Sequence, residues 1–161
     1  MKKIINYGKQ TIDNTDIKSV VKTLKSNYLT QGPKVIEFEK AINKKFGSKY
    51  CAVVSNGTAA LFIAGKALGW NKNDTIITSP ITFLATSNCI ANLGAKPDFV
   101  DINDQDFNID IKKLENKLKT NKKIKAVIAV DYAGHPCDWK SLRKLSDKYK
   151  FKLINDNCHA I

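Results

Sequence analysis

Three short segments of this chain carry side chains suited to holding a ligand. Ser55-Asn56-Gly57-Thr58-Ala59-Ala60 joins an apolar strand-like run directly to a helical one. Glycine permits the tight turn, and the first N–H groups of a helix have no intrahelical acceptor. Gly57, Thr58 and Ala59 therefore offer amides and a positive dipole end to an anion, most naturally a phosphate, with the Ser55 and Thr58 hydroxyls beside them. The same residues also make an ordinary helix cap. Asp156 stands at the end of the last strand-like run, close to His159, where a carboxylate can cap a loop, bind a metal or pair with a cationic ring nitrogen. In Thr78-Ser79-Pro80-Ile81-Thr82-Phe83 a strand passes into a helix, and Phe83 can enter the core or lie across a ligand.

Together the three describe a pocket for pyridoxal phosphate: a phosphate seat, an aromatic face, and a carboxylate for the ring nitrogen. Opposite charges near 4 Å at an effective dielectric of 20 attract by roughly 4 kcal/mol. That is enough to raise a pyridine nitrogen's pKa by about three units and keep it protonated at neutral pH. A protonated ring is the electron sink that carbanion chemistry needs.

The elements that must position these segments follow from periodicity. Asp13 or Thr15 caps a helix through Asn27 with Ile17, Val20, Val21 and Leu24 on one face. Pro33 opens a second helix with Val35, Phe38, Ile42 and Phe46 inward, and Gly47 closes it. Apolar runs at 49–55, 75–78, 97–101, 124–130 and 151–155 read as five strands, separated by helices at 57–68, 82–93, 110–119 and 138–149. Near-continuous apolar strands alternating with helices predict an α/β fold, a mostly parallel sheet with helices on both faces. In such sheets ligands bind beyond the carboxyl ends of the strands, where all three segments project.

Composition narrows the function classes. The chain has 161 residues, 43% hydrophobic and 26% charged, ordinary values for a globular domain. No apolar run approaches the roughly 20 residues that span a bilayer, and the start lacks a signal-peptide core, so no membrane partner and a cytoplasmic location are expected. Twenty-seven basic against fifteen acidic residues give a net charge of +12. Only Arg143 among them is arginine, the residue that base and phosphate recognition favours, so a lysine-rich solvated surface is expected and no nucleic acid partner. The four cysteines form no C-x-x-C pair and the two histidines are far apart, so reduced thiols and no metal are expected.

Ordered landmarks run along nearly the whole chain: Tyr28-Leu29-Thr30-Gln31-Gly32-Pro33 with Phe38-Glu39, Asn56 to Leu61, Pro80-Ile81-Thr82-Phe83 with Ala85-Thr86, Gly94-Ala95-Lys96-Pro97 leading to Asp101, Tyr132-Ala133-Gly134-His135-Pro136 with Asp138, and Asp156 to Ala160. In that order and at that spacing, the chain resembles the DegT/DnrJ/StrS nucleotide-sugar aminotransferases, fold type I pyridoxal-phosphate enzymes. Ile5-Asn6-Tyr7-Gly8-Lys9-Gln10 and Asp131 to Gly134 are similar to the branch that serves pseudaminic-acid-type surface glycans.

The resemblance implies that residues 1–161 are an incomplete cofactor-binding large domain, a helical segment over 1–47 and an α/β portion over 48–161, without the small C-terminal domain. It implies pyridoxal phosphate held by the amides around Gly57, Thr58 and Ala59, stacked on Phe83, paired with Asp156, with His159 near the ring oxygen and Tyr7 near the sugar. The implied reaction aminates a UDP-linked 4-keto-6-deoxy amino sugar with L-glutamate as donor, in a homodimer. The lysine that carries the cofactor lies, in relatives, beyond the position of Ile161, so no catalytic residue is expected here and the fragment alone is expected to be inactive. The competing readings are a non-catalytic α/β anion-binding module and a nucleotide-binding oxidoreductase, the latter weakened by the missing G-x-G-x-x-G turn.

Overall fold

A computed structural model describes residues 9–160 of the chain; Tyr7 and Ile161 lie outside the described residues. The chain divides into two units, Met1–Val53 and Val54–Ile161, each taken here by itself.

In the first unit, helix α1 spans Asn14–Leu24. The Asp13 carboxylate accepts from the amides of Thr15 and Asp16, and Asp16 returns a carboxylate to the Asp13 amide at 2.9 Å, a reciprocal capping box. Helix α2 spans Pro33–Phe46, with proline in the first turn and Gly47 as left-handed C-cap at φ 64°. Both helices stand where the sequence predicts them, but their apolar faces are not inward: Ile17, Val20, Val21, Leu24, Val35, Phe38 and Phe46 are all exposed. Two amphipathic helices in a unit of this size have too little chain around them to cover both stripes. The strand predicted over 49–55 is also absent. A strand exists through its ladder, and here the Val53 amide donates to the Glu39 carboxylate at 3.0 Å instead.

The second unit carries the sheet. Strands β1 (Thr75–Thr78), β2 (Lys96–Phe99), β3 (Ile124–Val130) and β4 (Lys152–Asp156) lie in the order β2-β1-β3-β4, all parallel. Helices α3 (Gly57–Ala67) and α4 (Leu84–Asn92) supply Leu61, Cys89 and Ile90 to one core, packed with Ile76, Ala126 and Ile128. Helices α5 (Ile111–Thr120) and α6 (Trp139–Tyr149) supply Leu114, Leu142 and Leu145 to the other, packed with Ile77, Val127 and Ala129. Alternate residues of β1 and β3 thus feed opposite faces, as the period of two requires. Each leucine, isoleucine and valine among them contributes about 1.5–3 kcal/mol on leaving water.

The connections set the site. From β1 the chain crosses to β2 on one side, then returns to β3 on the other side of β1 and continues outward to β4. The direction reverses between β1 and β3, and the carboxyl ends of the strands at such a reversal are where parallel sheets bind ligands.

Candidate active site

The turn that follows β4 holds this end of the sheet together. Its Cys158 sulfur lies where a side chain on Gly57 would have to go: a Cβ there would stand 2.8 Å from Sγ. Its His159 carbonyl presses on Gly134, where a Cβ would stand 2.8 Å away. The first turn of α3, the turn after β3 and the turn after β4 therefore meet, and small residues allow the approach. The Asp131 amide donates to the Asp156 carbonyl at 3.1 Å and extends the β3–β4 pairing into this region.

Asp156 is buried at 7% exposure, facing the same side of the sheet as Ile154. Its Oδ2 accepts from the Thr86 hydroxyl at 2.8 Å, and Thr86 is fully buried in α4. The Thr86 oxygen lies 2.9 Å from the Thr82 hydroxyl. A threonine hydroxyl has one proton, which Thr86 gives to Asp156, so Thr82 donates to Thr86. The Cys158 thiol is pushed up to about 11, first by its hydrogen bond to Asp156 and then by burial. The Cys89 thiol is also pushed up to about 11, mainly by burial, with the Asp156 charge adding to it. Both stay protonated at neutral pH. Among the described residues no lysine or arginine forms an ion pair with Asp156. A buried carboxylate without a cation is costly, and neutral donors offset only part of that cost.

At the start of α3, Asn56 Oδ1 accepts from the Ala59 amide at 2.9 Å and the Asn56 carbonyl accepts from Ala60 at 3.1 Å. Of the three amides singled out in the sequence, Ala59 is thus used by the cap, while Gly57 and Thr58, in the first two helical positions, have no intrahelical acceptor. Phe83 sits at the N-cap of α4, 75% exposed, and its carbonyl accepts from Thr86 at 3.0 Å. An open cavity of about 310 Å³ runs along the same segment, lined by Pro80, Thr82, Leu84, Ser87 and Phe99. His159 is exposed in the turn after β4. At the end of β1 the buried Thr78 hydroxyl has no hydrogen-bond partner among the described residues.

The turn after β3 is rigid by construction. Asn108 accepts from the Tyr132 amide at 3.1 Å and donates to the His135 carbonyl at 3.2 Å. Buried Asp131 accepts from the Cys137 amide at 2.9 Å and the Trp139 indole at 3.0 Å. Cys137, pushed up to about 12 by burial first and by Asp131 second, is a neutral core thiol. All four cysteines are free, and among the described residues no group of three His, Cys, Asp or Glu side chains is arranged for a metal.

Sequence reasoning quoted Thr82, Thr86 and Cys158 only as landmarks and gave them, and Asn108, no role in the site. No local signal marks Thr86 as the partner of a carboxylate 70 residues away.

The model of the DegT/DnrJ/EryC1/StrS aminotransferase family matches residues 10–161. The chain belongs to that family. The Campylobacter jejuni UDP-4-amino-4,6-dideoxy-N-acetyl-beta-L-altrosamine transaminase (serotype O:2) is 41% identical over 159 residues, covering 98% of this chain and 42% of that protein. Among solved structures, Helicobacter pylori PseC, an aminotransferase involved in the biosynthesis of pseudoaminic acid, superposes with TM-score 0.90 at 35% identity, over 98% of this chain and 42% of its own. The PMP form of Streptococcus pneumoniae Spr1654 does so with TM-score 0.90 at 27% identity, over 97% and 43%. This member of the family therefore spans about 42% of the C. jejuni relative's length. No helix among its described residues is long and apolar enough to cross a membrane.

Proposed function

We propose that the full-length protein is a pyridoxal-phosphate-dependent aminotransferase acting on a UDP-linked 4-keto-6-deoxy amino sugar, with L-glutamate as amino donor. The observation that carries this reading is the buried Asp156 carboxylate at the carboxyl end of β4, held by a hydroxyl and, among the described residues, in no ion pair with a lysine or arginine. A cationic ring nitrogen is the partner that such a carboxylate lacks. The amides of Gly57 and Thr58 at the start of α3 fit the phosphate of the same molecule.

In this reading Gly57 and Thr58 bind the phosphate, with Ala59 completing the turn, and exposed Phe83 lies against the ring face. Asp156 holds a proton on the ring nitrogen, His159 lies near the ring oxygen, and Tyr7 near the sugar. When bound, the protonated ring supplies the electron sink through which an amino group passes from an amino acid to a keto sugar. The turns at 54–58, 79–83, 131–137 and 157–160 contain no lysine, so the lysine that carries the cofactor is assigned to a part of the protein outside these residues. The small domain and the second subunit of a homodimer are assigned likewise, and the reaction to the cytoplasm. The family membership and the pseudaminic-type relatives support the sugar class.

The test uses the full-length protein, pyridoxal phosphate, L-glutamate and UDP-linked keto sugars. Asp156→Asn is expected to retain some cofactor and lose most turnover. Wild-type turnover in that variant sinks the role of Asp156, and a wild-type protein that takes up no cofactor is an anion-binding module instead.

A further inference from the structure

Asp156 can hold a proton on a ring nitrogen only while its carboxylate is aimed at that nitrogen, and a hydrogen bond donated to one carboxylate oxygen fixes that aim. Among the described residues, the groups shown around Asp156 include the Thr86 hydroxyl at 2.8 Å from α4, the Cys158 thiol on its own turn, Cys89 on α4, and the Asp131 amide, which donates to the Asp156 carbonyl. The hydroxyl from Thr86 is a fixed dipole aimed at the carboxylate. It comes 70 residues earlier in the chain, from a fully buried side chain.

The hydroxyl is also oriented. Thr82 stands just before the N-cap of α4, four residues before Thr86, and lies 2.9 Å from its oxygen, so Thr82 donates to Thr86 and the Thr86 proton is directed to Asp156. A relay of two hydroxyls thus runs from the segment that enters α4 to the carboxylate, beside the Phe83 that caps the helix.

We propose that Thr86, oriented by Thr82, is a positioning residue that holds the Asp156 carboxylate aimed at the ring nitrogen of the cofactor, so that the shared proton stays on the ring. The proposal rests on the cofactor reading given above. It concerns this chain's own hydroxyls, and it assigns α4 a part in tuning the site beyond packing against the sheet.

The experiment compares wild type, Thr86→Val, Thr86→Ser, Thr82→Val and Asp156→Asn in the full-length protein loaded with pyridoxal phosphate labelled with ¹⁵N in the ring. Thr86→Val is expected to move the ring-nitrogen resonance toward the unprotonated form. It should also lower kcat by about tenfold or more, the size of one hydrogen bond to a charged group, with KM for L-glutamate changed less than about twofold. Thr86→Ser is expected to restore both, and Thr82→Val to fall between. A wild-type resonance and kcat in a folded Thr86→Val, with Asp156→Asn strongly affected, overturns the role of Thr86 and leaves the cofactor reading standing. An equal loss in Thr86→Val and Thr86→Ser also overturns it, because packing alone would then explain both. Absence of cofactor uptake by wild type overturns the two readings together.

Discussion

Gly134 shows how a single missing side chain lets two turns share one place. Its φ is 84°, a region that L residues enter only at a cost, and a Cβ there would stand 2.8 Å from the backbone carbonyl of His159. Neither problem can be relieved by moving a flexible side chain, because the neighbour is backbone. Ala133 just before it already carries a positive φ of 52°, so the turn has no slack to absorb a second strained residue. Gly134→Ala is therefore expected to destabilise the second unit by about 2 kcal/mol or more, read from the urea midpoint. A loss below about 0.5 kcal/mol, the usual size of a neutral surface change, means that the two turns are not pressed together. Gly57 differs in kind, since its neighbour is the Cys158 sulfur, which can rotate away.

At the scale of elements, the helices were legible because their ends are written locally. Pro33 and Gly47 bound α2, and Asp13 with Asp16 opens α1. Asp138 caps α6 in the same way, its carboxylate accepting from the Ser141 amide at 3.0 Å. Hydrogen bonding at Ser141, side chain first and amide next, holds the Asp138 carboxyl below its ordinary value. Asp138→Ala is expected to cost about 1 kcal/mol at neutral pH, a contribution that fades as pH falls below the ordinary 3.8 and the cap protonates. Asp147→Ala, further along the exposed side of the same helix, serves as the control and stays within about 0.5 kcal/mol. Equal losses in both variants leave the cap without a role.

What the sequence hid at this scale is what depends on distant partners. The run at 49–55 has strand composition but no ladder, and its Val53 amide goes to Glu39 instead. The stripes of α1 and α2 have helical spacing but nothing over them within their unit. Asp156 could be chosen from its place at a strand end, whereas Thr86 could not, because its partner is 70 residues away and only the fold brings them within 2.8 Å. Local signals set element limits; long-range contacts decide which polar residue matters.

For the whole molecule, the paired and buried groups set the pH range of stability, and the signs can be worked out. Asp101 is held below its ordinary value by the Lys113 ammonium beside it, and Glu115 by Lys148 and then the Tyr149 hydroxyl. With Asp13 and Asp138, lowered by backbone and side-chain hydrogen bonds at their caps, these carboxylates bind protons more readily when unfolded. Their contribution is full above the ordinary carboxylate range and is lost as pH falls through it. The exposed pairs are screened, so each loss is small, but protonation also drives the net charge beyond +12 and adds self-repulsion. The thiols act in the opposite direction. Cys89 and Cys158 at about 11 and Cys137 at about 12 ionise later folded than their ordinary 9.0, so unfolding releases protons above that value. Their contribution is full below pH 9 and falls as pH rises toward 11–12, joined by Lys113 and Lys148, whose raised values add a loss above their ordinary 10.5. Each buried thiol sets a slope of at most about 1.4 kcal/mol per pH unit. Urea midpoints measured from pH 3 to 11 should therefore form a plateau through the neutral range, with the alkaline fall beginning near the ordinary thiol value of 9.0. Substituting Cys137 by Ala lowers the plateau, because a well-packed core atom is lost, but should flatten the alkaline limb. A limb as steep in Cys137→Ala as in wild type removes the Cys137 thiol from the account and leaves the alkaline loss to Cys89, Cys158 and the lysines.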